Sequence, residues 1–370
     1  MPSNHPLTLE KSLFNKGITN QRLKYYKLHE RMRCLFFTVI TVVFLLPSAL
    51  AEPVKEIRVA IANNVTRQEI KKNPAAVAGN GLASFRGKKY PGRMDFFDNG
   101  NGTLTAVNVL HLEDYLVGLV AGEMPKDWPI EALKAQAVVA RTYATYQIDA
   151  KKASGSVYDL ESGIMDQVYV GFVDDKRVDE TVNSTRGEIL THKGRPIKSF
   201  FSSTCGGFTE SASHVWGENN LFGTVKDGYC GRSPHSRWIY KISKGELASK
   251  LTAAGFPVDV IISITPERLD GNVRVASLTI GAGEHTIFIQ AQDLRKILGF
   301  NNLKSTYFDV KLDFGQVVFT GRGFGHGVGM CQWGAKGMAE AGKDYKEILE
   351  FYYSGTTLEI PKRSKRYKAR

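Results

Sequence analysis

The sequence predicts an α+β fold, with a β-rich N-terminal lobe, a helical core that carries short strands, and an inserted α/β accessory lobe. Three patterns support this prediction. Residues 57–61 alternate as in a half-buried strand. Apolar side chains from Leu112 to Leu119 recur at the i, i+3, i+4 and i+7 spacing of a helix. Residues 244–300 mix helical and strand-like segments.

The N-terminal 51 residues are predicted to be an export signal. An apolar run from Cys34 to Leu46 precedes Ala49-Leu50-Ala51, which matches the small-residue pattern of signal cleavage. The run is shorter than the ~20 residues that cross a bilayer, although an uncleaved anchor is an alternative. Because polar residues 1–31 are long for a signal, Met32 is the hypothesised true start. We expect an exported protein, periplasmic or otherwise extracytoplasmic, with membrane association as the alternative.

Composition and charge agree with a globular chain. Its 370 residues can bury a sizeable core, and its formal net charge is +12. The basic residues 362–370 are typical of a solvated terminus or of one that stays near an anionic envelope. In an exported protein this excess does not indicate nucleic acid as the partner.

Local patterns predict the elements in order. Residues 96–104 have hairpin turn chemistry, and glycine is expected to end the first helix at Gly122. A second helix is predicted from Trp128-Pro129 through Ala144. Further strands are expected at 189–191, 198–202 and 273–280, and further helices at 291–298, from Gln332 and at 348–353. The predicted divisions are the signal (1–51), N-terminal lobe (52–104), core (105–243), accessory lobe (244–312), C-terminal motif completing the core (313–361) and tail (362–370).

Residues 321–329 place a glycine at every second position. If this segment is extended, all five glycines share one face, and a flat ring or another strand can press against the bare backbone.

Several chemical classes are excluded by missing motifs. The chain has no P-loop, HExxH or GxSxG motif, and residues 321–329 lack the third glycine of GxGxxG. No cofactor is therefore expected.

Glu123 is the candidate acid. It stands between apolar Val120 and Met124 just past a predicted helix end, where desolvation and the helix dipole favour the protonated carboxyl. Such a group suits general acid catalysis near neutral pH. The N-terminus of the next helix opposes this effect, and a solvated loop glutamate is the alternative interpretation.

Four ordered blocks resemble the SpoIID/LytB family. They are residues 120–125, 131–144, 202–207 and 323–335. The resemblance implies a lytic transglycosylase that cleaves the MurNAc-GlcNAc bond of peptidoglycan glycan strands stripped of stem peptides, with Glu123 as the catalytic residue. Since the muramic acid supplies its own C6 hydroxyl, one carboxyl serves as acid and then as base. The LytB branch suggests the alternative of a non-catalytic glycan-binding enhancer of a cell-wall amidase.

Other residues are predicted to bind the glycan. The resemblance places Arg141 in the active site, where its guanidinium suits the lactyl carboxylate. An ion pair of Arg141 with Glu113 or Asp114 is the structural alternative. The remaining candidates, each with a structural alternative, are Gln136, Tyr143, Ser202, Ser203, His326 and Gln332.

The cysteines are interpreted as a disulfide and a thiol. In an oxidising compartment Cys205 and Cys230 are expected to pair, which leaves Cys331 as a buried thiol. No metal is predicted: residues 159–169 lack the Cys/His cluster that some relatives carry there, and the spacing of Cys205, His214, Cys230 and His235 is irregular for zinc. A cysteine peptidase using Cys205 with His214 or His326 is a weaker alternative.

Overall fold

The computed structural model describes residues 55–72, 81–163, 166–217, 223–269 and 271–361. The predicted export signal and the basic tail lie outside these residues. The described part is α+β, as predicted. Within it, no helix is long and apolar enough to cross a membrane.

The N-terminal part is mostly β-sheet. It comprises β1 (Glu56–Thr66), α1 (Arg67–Lys72), β2 (Leu82–Phe85), β3 (Lys88–Pro91), β4 (Arg93–Asp98) and β5 (Thr103–His111). Strands β1, β4 and β5 form a sheet with a short later strand, β6 (Leu160–Glu161), in the order β4-β5-β1-β6. The alternation at residues 57–61 therefore does mark a strand.

The core that follows contains helices and short strands. They are α2 (Leu112–Glu123), α3 (Ile130–Ala153), α4 (Lys176–Ser184), β7 (Ile189–His192), β8 (Arg195–Pro196), β9 (Phe201–Ser202), α5 (Ala212–Trp216) and a 3₁₀ turn (Cys230–Arg232). Helix α3 is central because residues 132–145 of it are all buried except Lys134. Its alanines let α2 and α4 approach closely.

The N-terminal strands and these helices share one hydrophobic core. Ile57, Val59 and Leu110 of the sheet pack in the same cluster as Leu116 of α2 and Leu133 of α3. The strands therefore do not form a lobe with a core of its own, because one face of the sheet is buried under the helices.

A second hydrophobic core follows. It is built by β10 (Trp238–Ser243), α6 (Lys244–Ala253), β11 (Ser263–Arg268), β12 (Val275–Ala282), β13 (His285–Gln290), α7 (Ala291–Leu298), β14 (Phe308–Asp313) and β15 (Gln316–Gly321). The sheets have the orders β10-β15-β14 and β11-β12-β13. This core runs from Trp238 to Phe319, wider than the predicted 244–312 lobe, because β15 pairs with both β10 and β14.

The chain then returns to the first core. The last elements are β16 (Met330–Cys331), α8 (Gln332–Glu340), α9 (Tyr345–Tyr352) and β17 (Thr357–Glu359). Strand β16 pairs with β9 in parallel, and β17 pairs with β7 antiparallel. Residues distant in sequence are thereby brought beside α2 and α3.

The glycine-alternating segment is not extended after Gly321, so the condition for its glycines to share one face is not met. Gly323, Gly325, Gly327 and Gly329 have φ between 71° and 104°, so the backbone winds instead of forming a strand. Another part of the chain does lie against these glycines, as expected. A Cβ on Gly329 would lie 1.9 Å from the Phe200 carbonyl oxygen, and one on Gly325 would lie 2.9 Å from Ser202 Cβ.

Candidate active site around Glu123

Glu123 is the last residue of α2. The helix continues one residue beyond the predicted end at Gly122, and the Met124 N–H still donates to the Val120 carbonyl over 3.0 Å. Glycine at 122 is needed for another reason than helix termination. A Cβ there would lie 2.6 Å from the Val168 carbonyl oxygen. The glycine thus lets the 166–170 segment lie against the end of the helix.

That segment holds one oxygen of the carboxylate. The Val168 N–H donates to Glu123 Oε1 over 2.6 Å. The neighbouring side chains anchor the segment to the two core helices: Tyr115 Oη donates to Gln167 Oε1 over 2.9 Å, and Tyr143 Oη donates to Asp166 Oδ1 over 3.1 Å. Glu123 therefore faces a fixed backbone donor.

Gln332 contacts the other oxygen. As the first residue of α8, it directs its Nε2 towards Glu123 Oε2 at 3.3 Å and Gln136 Oε1 at 3.4 Å. Gln136 is fully buried on α3, and its Nε2 has no hydrogen-bond partner among the described residues. The predicted residues Glu123, Gln136 and Gln332 thus do meet.

The surroundings of Glu123 favour a protonated carboxyl. Burial raises its pKa above the ordinary glutamate value, while the hydrogen bonds from Val168 and Gln332 partly oppose that rise. The raised pKa is the property that a general acid needs.

An aromatic row continues from this region. Tyr143 and Phe200 have ring centroids 6.1 Å apart, Phe200 and Trp216 are 4.6 Å apart, and Trp216 and His326 are 5.0 Å apart. Trp216 remains 43% exposed. Since Tyr143 also contacts Asp166, a chain of contacts links Glu123 to an exposed aromatic surface of the kind that sugar rings stack on.

His326 belongs to this row but is not hydrogen-bonded to Glu123 in the described part. Its Nδ1 accepts the Val328 N–H over 3.0 Å. Burial and the nearby Arg274 and Arg295 lower the pKa of His326 to about 3, so the ring is neutral. A neutral ring with Nδ1 as acceptor leaves Nε2 to donate.

Ser202 ends β9, the strand that pairs with β16, and Ser203 follows it directly. Ser202 Oγ is buried without a hydrogen-bond partner among the described residues, and Ser203 Oγ is 3.5 Å from Thr204 Oγ1. Ser202 is 7% exposed, so its hydroxyl is less available to a sugar than the sequence suggested.

Arg141 is a structural residue. It is 1% exposed, and its Nε and Nη2 donate to Glu113 over 2.9 and 2.7 Å. Its Nη1 is directed at the Glu188 carbonyl over 3.2 Å. The guanidinium is thus engaged in the ion pair with Glu113 that was the structural alternative, and contact with a substrate carboxylate stays a prediction.

The predicted disulfide is absent. Cys205, Cys230 and Cys331 are free and buried, and the Sγ atoms of Cys205 and Cys230 are 3.7 Å apart. A disulfide bond is about 2.05 Å long. Asp227 joins the three cysteines in a compact group that the sequence did not indicate.

Comparison with known proteins identifies the fold family. The family described as "Stage II sporulation protein" (SpoIID) matches residues 100–192. Stage II sporulation protein D of Bacillus subtilis is 33% identical over 275 residues, which cover 68% of this chain and 76% of that protein. The chain belongs to the SpoIID family.

Two other relatives and a second family model also match this chain. An uncharacterized protein of Brachyspira hyodysenteriae is 38% identical over 281 residues, covering 74% of this chain and 73% of its own. The amidase enhancer of Bacillus subtilis is 32% identical over 291 residues, but these are only 40% of that longer protein. A domain of unknown function (DUF8618) matches residues 220–329, which include the second core.

Some residues around the SpoIID-type site were not predicted. The backbone N–H of Val168 contacts Glu123, and Asp166 and Gln167 contact tyrosines. Trp216 is the exposed ring of the aromatic row. Gln167, Val168 and Tyr169 end the 159–169 stretch that lacks the Cys/His cluster, and the tryptophan fourteen residues after Ser202 is the other signal present in the sequence.

Proposed function

We propose that this protein is a peptidoglycan lytic transglycosylase that cleaves the MurNAc-GlcNAc β-1,4 bond of denuded glycan strands. The observation that carries the proposal is the partly buried Glu123 carboxyl, whose pKa is raised by burial and which is held by Val168 and Gln332. Membership of the SpoIID family supports a role at the cell wall. We further propose that the protein works outside the cytoplasmic membrane.

The reaction needs one carboxyl. Protonated Glu123 gives its proton to the glycosidic oxygen as the C1–O bond breaks. The C6 hydroxyl of the same muramic acid then attacks C1 and loses its proton to the Glu123 carboxylate. The products are a GlcNAc end and a 1,6-anhydroMurNAc end, without consumption of water. Both partners on Glu123 are neutral N–H donors, which suit a group that cycles between acid and base.

The aromatic row supports glycan binding. Trp216 is exposed while its ring packs on Phe200 and His326, so the indole is held in place yet accessible. We propose that sugars of the strand stack on Trp216 when the scissile bond lies at Glu123.

The test is product analysis with purified protein and amidase-treated sacculi. The wild type should release fragments whose muramic end lacks the mass of one water. Glu123→Gln should lower the rate by ~100-fold or more, the lower range for general acid–base catalysis, and should retain glycan binding. The exposed Glu284→Gln serves as the control. Unchanged turnover by Glu123→Gln would refute the assignment.

The second candidate function is an enhancer of a cell-wall amidase. It is favoured by the similarity to a protein named amidase enhancer. In this function the surface around Glu123 and Trp216 binds glycan without cleaving it. Wild-type protein that yields no anhydro product alone, but accelerates peptide release by an added amidase, would establish it. Trp216→Ala should weaken glycan binding under either function.

A further inference from the structure

Four buried side chains meet beside the candidate active site. They are Cys205, Asp227, Cys230 and Cys331, whose sulfurs and one carboxylate oxygen lie within 4.8 Å of one another. Cys205 follows β9, and Cys331 is the N-cap of α8. Cys230 begins the 3₁₀ turn, and Asp227 lies in the loop before it. Three separate parts of the chain therefore contribute to one cluster.

The spacing is that of metal ligands. Tetrahedral zinc with bonds of ~2.3 Å to sulfur places two sulfurs about 3.8 Å apart. Cys205 Sγ and Cys230 Sγ are 3.7 Å apart. Cys205 Sγ is 3.1 Å from Asp227 Oδ2. We propose that Cys205, Cys230, Cys331 and Asp227 bind one Zn²⁺ ion as a four-ligand structural site.

Hydrogen bonds outside the proposed metal coordination hold the ligands in place. Cys331 Sγ accepts the N–H of Cys205 over 3.2 Å and that of Gly334 over 3.3 Å. Asp227 Oδ2 accepts from Tyr352 Oη over 3.0 Å, and its Oδ1 accepts the Tyr229 N–H over 2.8 Å. Such outer contacts orient metal ligands and fix their distances.

The charge around the cluster also fits. Three thiolates and one carboxylate on Zn²⁺ carry formally two negative charges, which burial would penalise without a counter-charge. Arg274 is 3% exposed and donates from Nη2 to the Cys205 carbonyl over 2.6 Å. Its Nε and Nη1 have no hydrogen-bond partner within the described residues. A buried guanidinium next to the cluster suits an anionic metal site, and the carboxylate of buried Glu210 is a second negative group that acts on it.

Zinc is the ion that suits these ligands. Thiolates are soft ligands that select zinc over magnesium or calcium, and four protein ligands leave no open position for catalysis. The site therefore has a structural consequence. It fixes Cys331, and with it the adjacent Gln332 that contacts Glu123, to the loop that follows Ser203. The inference does not depend on glycan cleavage.

Metal content and thiol state test the proposal. Full-length protein purified with zinc, but without reductant or chelator, is expected to hold about one zinc per chain by elemental mass spectrometry. Alkylation after denaturation in chelator should label Cys205, Cys230 and Cys331. Replacement by Co²⁺ should give the visible absorption and sulfur-to-cobalt charge-transfer bands of a tetrahedral thiolate site, and this measurement needs no variant.

Variants identify the ligands. Cys331→Ser and Asp227→Asn should each lower zinc retention during dialysis against a weak chelator by at least tenfold. His214→Ala and His235→Ala are matched controls that should keep the metal, because neither histidine is in the cluster. Zinc loss in the histidine variants alone would assign the metal elsewhere and overturn the proposal.

Two outcomes with the wild type would also overturn it. One is three free thiols without bound metal after zinc supply. The other is a Cys205–Cys230 disulfide in the purified protein without metal. Both are read without substrate, so they are distinguishable from failure of the transglycosylase assignment.

Discussion

Glu123 and Gln332 lie 209 residues apart in the chain, and Gln332 Nε2 is directed at Glu123 Oε2 over 3.3 Å. The contact forms because β16 pairs with β9 and places the first residue of α8 at the end of α2. The contact joins the end of α2 and the start of α8 in one candidate active site.

Gln332→Ala should move the pH dependence of glycan cleavage. The Gln332 hydrogen bond lowers the pKa of Glu123 against the effect of burial, so its loss raises that pKa further. Because the general acid must be protonated, the alkaline limb of the rate profile is expected at higher pH than in the wild type. Exposed Gln316→Ala is the control. A limb that moves to lower pH would contradict the assigned role.

Glu123→Gln should stabilise the fold at alkaline pH. The pKa of Glu123 is raised in the folded protein, so the folded state binds this proton more tightly than the unfolded state. The stability linked to it is fully present below the unfolded pKa and is lost as pH rises through the folded pKa. Thermal unfolding at about pH 8 should show a more stable variant, and at about pH 4 the advantage should be reduced or absent. An equal advantage at both pH values would argue against charge burial.

Gly122→Ala should separate Val168 from Glu123. The added Cβ would lie 2.6 Å from the Val168 carbonyl oxygen, so the segment must move and its N–H contact weakens. We expect a loss of ~1–3 kcal/mol in the free energy of unfolding and reduced cleavage. Gly245→Ala is the matched helical control, since nothing lies within 4 Å of its Cβ position. Equal effects of both substitutions would exclude the close approach as the cause.

Arg141→Ala should reduce stability without affecting chemistry. The Arg141–Glu113 ion pair is largely buried, so removal of the arginine leaves the Glu113 carboxylate without its partner. We expect the free energy of unfolding, measured with denaturant, to fall by about 3–5 kcal/mol. The exposed Arg93→Ala, whose partners are Glu56 and Asp95, should cost less than about 1 kcal/mol. Cleavage per folded Arg141→Ala molecule should remain near wild type. Weakened glycan binding with unchanged stability would instead restore Arg141 as a substrate ligand.

Local sequence predicted much of the fold. The helical spacing of Leu112, Leu116 and Leu119 was correct because these side chains are buried on one face of α2. The helix at Ala291–Leu298 was also predicted with its bounds. Such elements can be predicted from the periodicity of apolar side chains, which is a property of consecutive residues.

Where tertiary contacts decide the conformation, local sequence was misleading. Gly122 by its residue type predicts a helix end, but its lack of a side chain serves the approach of Val168. The alternating glycines at 323–329 suggested a strand, but their positive φ values wind the backbone around the 200–204 segment. Glycine frequencies alone cannot distinguish conformational freedom from close packing.

By itself, the sequence determined the α+β class and the family, and it singled out Glu123 as the candidate acid. Only the tertiary structure decided what each remaining residue contacts: Gln332 meets Glu123, Arg141 meets Glu113, and Cys331 and Asp227 join Cys205 and Cys230. The physical reason is that a side chain's partners lie across the core, tens to hundreds of residues away. Burial and charge at Glu123 depend on that packing, whereas helix and strand periodicity does not.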